Sequence, residues 1–251
     1  MVDLRRGTKK PQHLVSLSDL EELRGIALEE GFLRLGALVT PAQLQDSKEV
    51  GLARPELLDA VGVFGTPQVR RRATVGGNLC TAASCADLAP LLLALGARVR
   101  LATPEGSKEL KLRDFFGDHR STTLEPGHIL VEVTVAEKSP GEGAAYEAFG
   151  LRATNSITVA GAAAYVRMEG GRCSEARLAL GAVAPTPVLV RAAGDALVGG
   201  TLGDDEIVGV GLAAAEAATP ISDVRGSAEH RRELVERLSI RALRVARERA
   251  R

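Results

Sequence analysis

Residues 70–90 read RRRATVGGNLCTAASCADLAP, and their types and spacing suit ligand chemistry better than any other stretch of this 251-residue chain. The glycine pair Gly76-Gly77 follows Thr74-Val75, where free backbone can take positive φ and bring N–H groups to a ligand without Cβ interference. Asn78 adds an amide that donates and accepts. Thr74 and Thr81 add hydroxyls, and Asp87 can accept from a ribose or ribityl hydroxyl. Small side chains at 81–86 leave room for a large planar ligand, so the stretch can wrap a nucleotide-like cofactor. A tight turn with a close-packed crossing accounts for the same residues by sterics alone. No G-x-G-x-x-G fingerprint and no G-x-x-x-x-G-K-[ST] phosphate loop decides between the two.

The other reactive residue types form no constellation. Cys80 and Cys85 lie five apart and Cys173 stands alone, unlike zinc or iron–sulfur ligand sets, so all three read as small packing residues. His13, His119, His128 and His230 show no ligand spacing, and no catalytic residue or metal ligand is expected. Lysine plus arginine equals aspartate plus glutamate at 32 each, which gives no reason to expect nucleic acid or an anionic membrane as the main partner. Tryptophan is absent and aromatics are scarce, which argues against base-stacking platforms. An odd cysteine count without pairing fits a reducing, cytoplasmic setting. The start, MVDLRRGTKK, has the pattern of neither a signal peptide nor an anchor, and LAPLLLALGA is too short to span a bilayer.

The elements that must position this stretch are partly legible. HLVSL (13–17) alternates as a short strand, and Ser18-Asp19 offers a cap for an acidic helical segment over 19–24. FLRLGALVT (32–40) predicts a half-buried strand and Thr40-Pro41 a helix start. Helices are expected over 55–65 and from Asp87 to a terminator at Gly96. Residues 97–103 and 108–112 read as paired strands and 129–137 as a strongly alternating one. KSPGEG (138–143) marks a domain boundary. Beyond it, 156–168 and 173–183 form a hairpin about EGGR (169–172), followed by helices over 204–218 and 229–250. Residues 229–251 hold eight arginines and four glutamates, which suits a solvated or partner-facing helix side better than RNA.

Order along the chain adds a resemblance. ELRGI (22–26), LRLGALVTPAQL (33–44), PQVRRRATVGGNLCTAASCADLAPLLLALGARVRL (67–101) and DVRGSAEHRR (223–232) together resemble the FAD-binding medium subunit of the molybdenum hydroxylases, the xanthine dehydrogenase and carbon monoxide dehydrogenase type. The run AASCAD replaces the more usual A-S-P-x-x-D, and His230 stands where the family usually has tyrosine.

The resemblance implies an α+β chain. Residues 1–137 would be a partial two-subdomain FAD-binding fold of the vanillyl-alcohol-oxidase/PCMH type. Residues 144–250 would be an α+β C-terminal domain with an antiparallel sheet and helices. It implies that Thr74, Gly76, Gly77, Asn78 and Leu130 line the flavin, that Asp87 holds the ribityl or pyrophosphate end, and that Phe64 lies near a ring edge. Ala148 and Phe149 stand near the position of a basic flavin-tuning residue in relatives. The family's glycine-rich pyrophosphate loop would lie upstream of Met1, which leaves a flavin-free scaffold subunit as the alternative. Implied function is electron transfer from iron–sulfur clusters through FAD to NAD⁺, a quinone or oxygen. The molybdenum cofactor would sit on a large partner and the 2Fe–2S clusters on a small one, in a dimer of heterotrimers. Neither a nucleic-acid partner nor a membrane span is implied.

Overall fold

The computed structural model describes Gly7, residues 10–153 and residues 155–251. Most of MVDLRRGTKK lies outside the described residues.

Two antiparallel sheets organise the chain. The first contains β1 (Ile26–Glu29), β2 (Phe32–Gly36), β3 (Arg98–Thr103), β4 (Gly106–Lys111) and β5 (Ile129–Ala136) in the order β1-β2-β5-β3-β4. Its strands alternate as their sequences require. Leu33, Leu35, Val99 and Val133 point inward and are buried, whereas Arg34 and Arg100 converge on Glu132 from the outer face. Register shifts where Arg100 pairs Glu132 but Leu101 pairs Leu130, so Val131 is an extra residue. Without that bulge the two-residue period would turn Leu130 outward; with it, Leu130 faces Leu101 on the inner side.

Short helices α1 (Pro41–Asp46), α2 (Lys48–Ala53), α3 (Leu57–Val63), α5 (Val75–Thr81) and α6 (Leu88–Ala94) contribute to the first core, and α4 (Pro67–Arg70) lies outside it. Thr40 caps α1 through a reciprocal bond pair with Gln43, as the Thr-Pro signal predicts. Gly96, at φ +70°, follows the end of α6. The second sheet runs β6 (Glu142–Gly150), β7 (Thr158–Glu169), β8 (Arg172–Gly181) and β9 (Val188–Leu189) in sequence order. Gly170 and Gly171, both at positive φ, form the tight β7–β8 turn that the EGGR segment predicts. The core of the first unit reaches one face of this sheet at Tyr146, Ala163, Tyr165 and Ala179. The second core packs Ala160, Ala162, Ala164 and Val166 against α7 (Arg191–Asp195), α8 (Asp204–Ala217) and α9 (Ala228–Arg249). Buried on both sides, β7 is therefore a run of small apolar residues.

Four expectations need correction. Residues 13–17 form no strand, and Leu14 and Val15 are exposed because no strand edge accepts them. The acidic segment after Ser18-Asp19 makes a single 3₁₀ turn, Glu21–Leu23, without a side-chain cap. YEAFG belongs to β6, and the glycine pair lies inside α5; neither element was expected. The arginines of α9 divide: Arg232, Arg237 and Arg241 are exposed, as a solvated helix side requires, while three others reach into the molecule. Arg231 donates to the Val159 and Ala182 carbonyls, Arg247 to Leu202, and Arg249 to Asp59 and Ala144. Among the described residues, no helix is long and apolar enough to cross a membrane.

Candidate flavin site

Thr74 is extended (φ −126°, ψ 156°), and its hydroxyl accepts from the Gly77 N–H, which starts α5 at Val75. Neither Gly76 nor Gly77 has positive φ. Their use is close approach. A Cβ on Gly76 would stand 2.8 Å from both Cβ and O of Ala37 and 3.1 Å from Leu130 Cδ2, and one on Gly77 would stand 2.8 Å from Thr74 Oγ1. The first-turn N–H groups all donate inward: Val75 to Val39 at 2.8 Å, Gly76 to Ala37 at 2.9 Å and Gly77 to Thr74 at 3.0 Å. The expected row of backbone donors aimed at a ligand is therefore already occupied.

Beside this helix end lies a groove of about 300 Å³. Thr74, Gly76, Gly77 and Leu130 all line it, so four of the six residues assigned to the flavin are brought together. Leu17, Leu38 and His128 complete the groove; no spacing in the sequence points to them, since they come from a loop, a strand end and the approach to β5. The lining is mostly apolar, suited to a planar conjugated ring. His128 Nδ1 is buried without a hydrogen-bond partner among the described residues, which leaves a polar group on this wall for a ring heteroatom to satisfy. Burial pushes the Cys80 thiol up to about 11, so it stays a neutral wall residue.

The remaining assigned residues stand elsewhere. Asn78 does not line the groove, and its Oδ1 is buried without a hydrogen-bond partner among the described residues. Asp87 is buried at the join with the second sheet, where its Oδ1 accepts from Thr158 Oγ1 at 2.5 Å and Tyr146 OH at 3.4 Å. Phe64 is a core residue whose carbonyl accepts from Arg70. Nor do residues 81–86 empty the groove. Ser84 accepts from the Ala182 N–H at 2.6 Å and Pro90 sits over Gly181, so the small run lets helix and sheet approach.

Burial raises the Asp87 carboxyl to about 6, against opposing hydrogen bonds from Thr158 and Tyr146. The folded state thus holds this proton more tightly than the unfolded chain does. Its contribution is full below the ordinary value of 3.8 and is lost as pH rises through about 6. Asp87→Asn is expected to abolish a decline of roughly 3 kcal/mol between pH 4 and pH 7.5, read from urea unfolding at both pH values. Parallel declines in the two proteins would refute the assignment.

Two family models match: the FAD binding domain in molybdopterin dehydrogenase over residues 1–137, and the CO dehydrogenase flavoprotein C-terminal domain over residues 144–246. The chain belongs to the FAD-binding subunit family of the molybdopterin dehydrogenases. The resemblance read from the motifs, and the fold class it implies, are borne out at this level. The carbon monoxide dehydrogenase medium chain of Afipia carboxidovorans is 34% identical over 241 residues, covering 96% of this chain and 83% of that one. The xanthine dehydrogenase FAD-binding subunit of Escherichia coli O157:H7 is 31% identical over 242 residues, covering 95% and 82%. In three dimensions, carbon monoxide dehydrogenase from Hydrogenophaga pseudoflava matches with a TM-score of 0.95 at 31% identity, over 99% of this chain and 86% of that one. In this chain the segment that carries the motif is the segment that forms the groove wall.

Proposed function

We propose that this chain is the FAD-carrying electron-transfer subunit of a molybdenum-dependent hydroxylase, an oxidoreductase whose substrate chemistry lies on a partner. The observation that carries the reading is the convergence of Thr74, Gly76, Gly77 and Leu130 on one apolar groove. Leu130 and Ala37 supply apolar surface to a ring face, Thr74 holds the helix end in place, and His128 presents a polar group. FAD supplies an electron carrier able to exchange electrons singly or in pairs. The apolar wall keeps water from its ring, and Gly76 keeps that wall close to β5. Asp87 acts at one remove, by fixing Thr158 and the second sheet against α6.

Relatives named as FAD-binding subunits favour this reading over a flavin-free scaffold. By the same analogy a molybdenum-containing large subunit and an iron–sulfur small subunit are its partners, in a dimer of heterotrimers working in the cytoplasm. Three free cysteines accord with a reducing setting.

Flavin fluorescence quenching in a titration of the purified chain tests the reading. Quenching by wild type and its loss in Leu130→Arg are expected, because a guanidinium in this apolar wall displaces a ring. Wild type that leaves FAD fluorescence unchanged would refute the assignment.

A further inference from the structure

The segment DVRGSAEHRR (223–232) carries part of the family resemblance, yet none of its residues lines the flavin groove. In the fold it builds one rigid turn. Asp223 and Gly226 exchange backbone hydrogen bonds at 3.1 Å each, and the Asp223 carboxylate accepts from the Arg225 N–H, from the Arg225 guanidinium and from Arg231. The Ala228 N–H donates to Ser222 Oγ and the His230 N–H to Ser227 Oγ, which ties the turn to the start of α9. Within this frame Val224 is fully exposed and Ile221 is 70% exposed. Apolar side chains held rigidly out in water suit a protein interface, because little freedom is left to lose on docking.

Beside them lies a cleft of about 340 Å³ between the two units, walled by Pro185, Pro220 and Ile221 and by Ser84 of the first unit. Arg231 lines it and is buried, and its Nε has no hydrogen-bond partner among the described residues. Ser84 is four residues past Cys80, which lines the flavin groove, so the cleft begins within about 14 Å of that wall. Burial raises the Cys85 thiol and Asp87 adds to the rise, while Arg225 and Arg120 oppose it, which places both guanidiniums beside the residue next to Ser84. Against Arg120, Arg225 and Arg231 stand Asp118 and Asp223, so this face has an excess of positive charge.

We propose that the Ile221–Val224 turn and the cleft beside it are the docking surface for the iron–sulfur partner, the electron donor of the FAD reading above. Electron transfer weakens steeply with distance, so a donor has to seat close to the groove wall. A 2Fe–2S cluster held by four thiolates is anionic in both oxidation states, which matches the excess of guanidinium. An apolar side chain of the partner packs on Val224 and Ile221, and an acceptor beside it satisfies Arg231 Nε.

The test uses the complex isolated through an affinity tag on the full chain, with iron, flavin and the electron paramagnetic resonance of reduced 2Fe–2S clusters measured per chain. Wild type is expected to carry iron. In Val224→Glu iron per chain is expected to fall about tenfold with flavin content unchanged, and in Val224→Ser to fall by less. Leu52→Glu puts the same charge on an exposed apolar residue of α2 and should keep its iron. Both positions face water, so thermal melts of the variants and wild type should coincide. Iron retained in Val224→Glu, or lost equally from Leu52→Glu, would overturn the proposal. Loss of flavin together with iron would overturn it too, since the turn would then act through the groove. Wild type that holds flavin but no iron would instead remove the iron–sulfur partner from the reading above, and this docking surface with it.

Discussion

Glu142→Ala is expected to destabilise the chain by about 3–5 kcal/mol, the largest effect of any single change at the join between the two sheets. Glu142 begins β6 and is almost fully buried, as is Arg54 at the end of α2, whose Nη2 reaches Glu142 Oε2 at 2.8 Å. Arg167 of β7 closes on the other oxygen, and the Ser139 N–H adds a bond at 3.3 Å. Arg54 also donates to the Ala136 carbonyl at 2.6 Å, so one guanidinium ties α2 to the end of β5 and the start of β6. Removing the carboxylate strands a buried cation, which costs more than the pair contributes. Burial alone would raise the Glu142 carboxyl, but hydrogen bonding from Arg167 and the charge of Arg54 outweigh it and bring the group down to about 2. Stability from this group is therefore present above the ordinary value of 4.5 and lost as pH falls through about 2. Urea unfolding at pH 7 measures the mutational effect. The acid limb of the wild-type stability curve, absent in Glu142→Gln, measures the titration. A loss below 1 kcal/mol in Glu142→Ala would show that the network is not what holds the join.

Gly76→Val is expected to cost about 3 kcal/mol and to abolish flavin retention, whereas Gly77→Ala costs about 1 kcal/mol and retains flavin. The difference follows from what each Cβ would meet. At Gly76 it is the Ala37 backbone oxygen, itself held by the Gly76 N–H at 2.9 Å, so the loop and helix can part only by breaking that bond. Leu130 Cδ2 is also within 3.1 Å, so any added side chain enters the groove wall. At Gly77 it is the Thr74 hydroxyl, the end of a short side chain, and only the helix cap is disturbed. Flavin absorbance after gel filtration and thermal melts of both variants test the order. Equal losses at the two positions would mean that the glycines act through the helix start and not through the groove.

Much of the architecture was legible because the signals are local. Thr40-Pro41 and Gly170-Gly171 each determine backbone geometry within a few residues, and each forms the expected element. Leu234, Leu238, Ala242 and Val245 stand at helical spacing in α9, but its buried apolar face runs through Val235, Leu238, Ala242, Leu243 and Ala246. Periodicity sets the width of such a face, but contact with the second sheet sets its centre. The strand expected at 13–17 fails for a related reason: alternation permits a strand, and only an available edge makes one.

By itself the sequence determined the motif, its family and the segment that carries the site, because threonine, a glycine pair and asparagine in that order leave few uses for the backbone. It did not determine how those residues are used. The glycines lie in an ordinary helix turn, Gly76 pressed against Ala37 and Gly77 against Thr74, and their N–H groups face inward. Only the tertiary structure turned Leu130 to the groove, since the bulge at Val131 overrides the strand period. It also carried Asp87 to Thr158 of the second sheet, a contact spanning 71 residues that no local pattern encodes. Local sequence controls torsion angles and caps; long-range packing decides which surfaces meet, and the site is made of surfaces that meet.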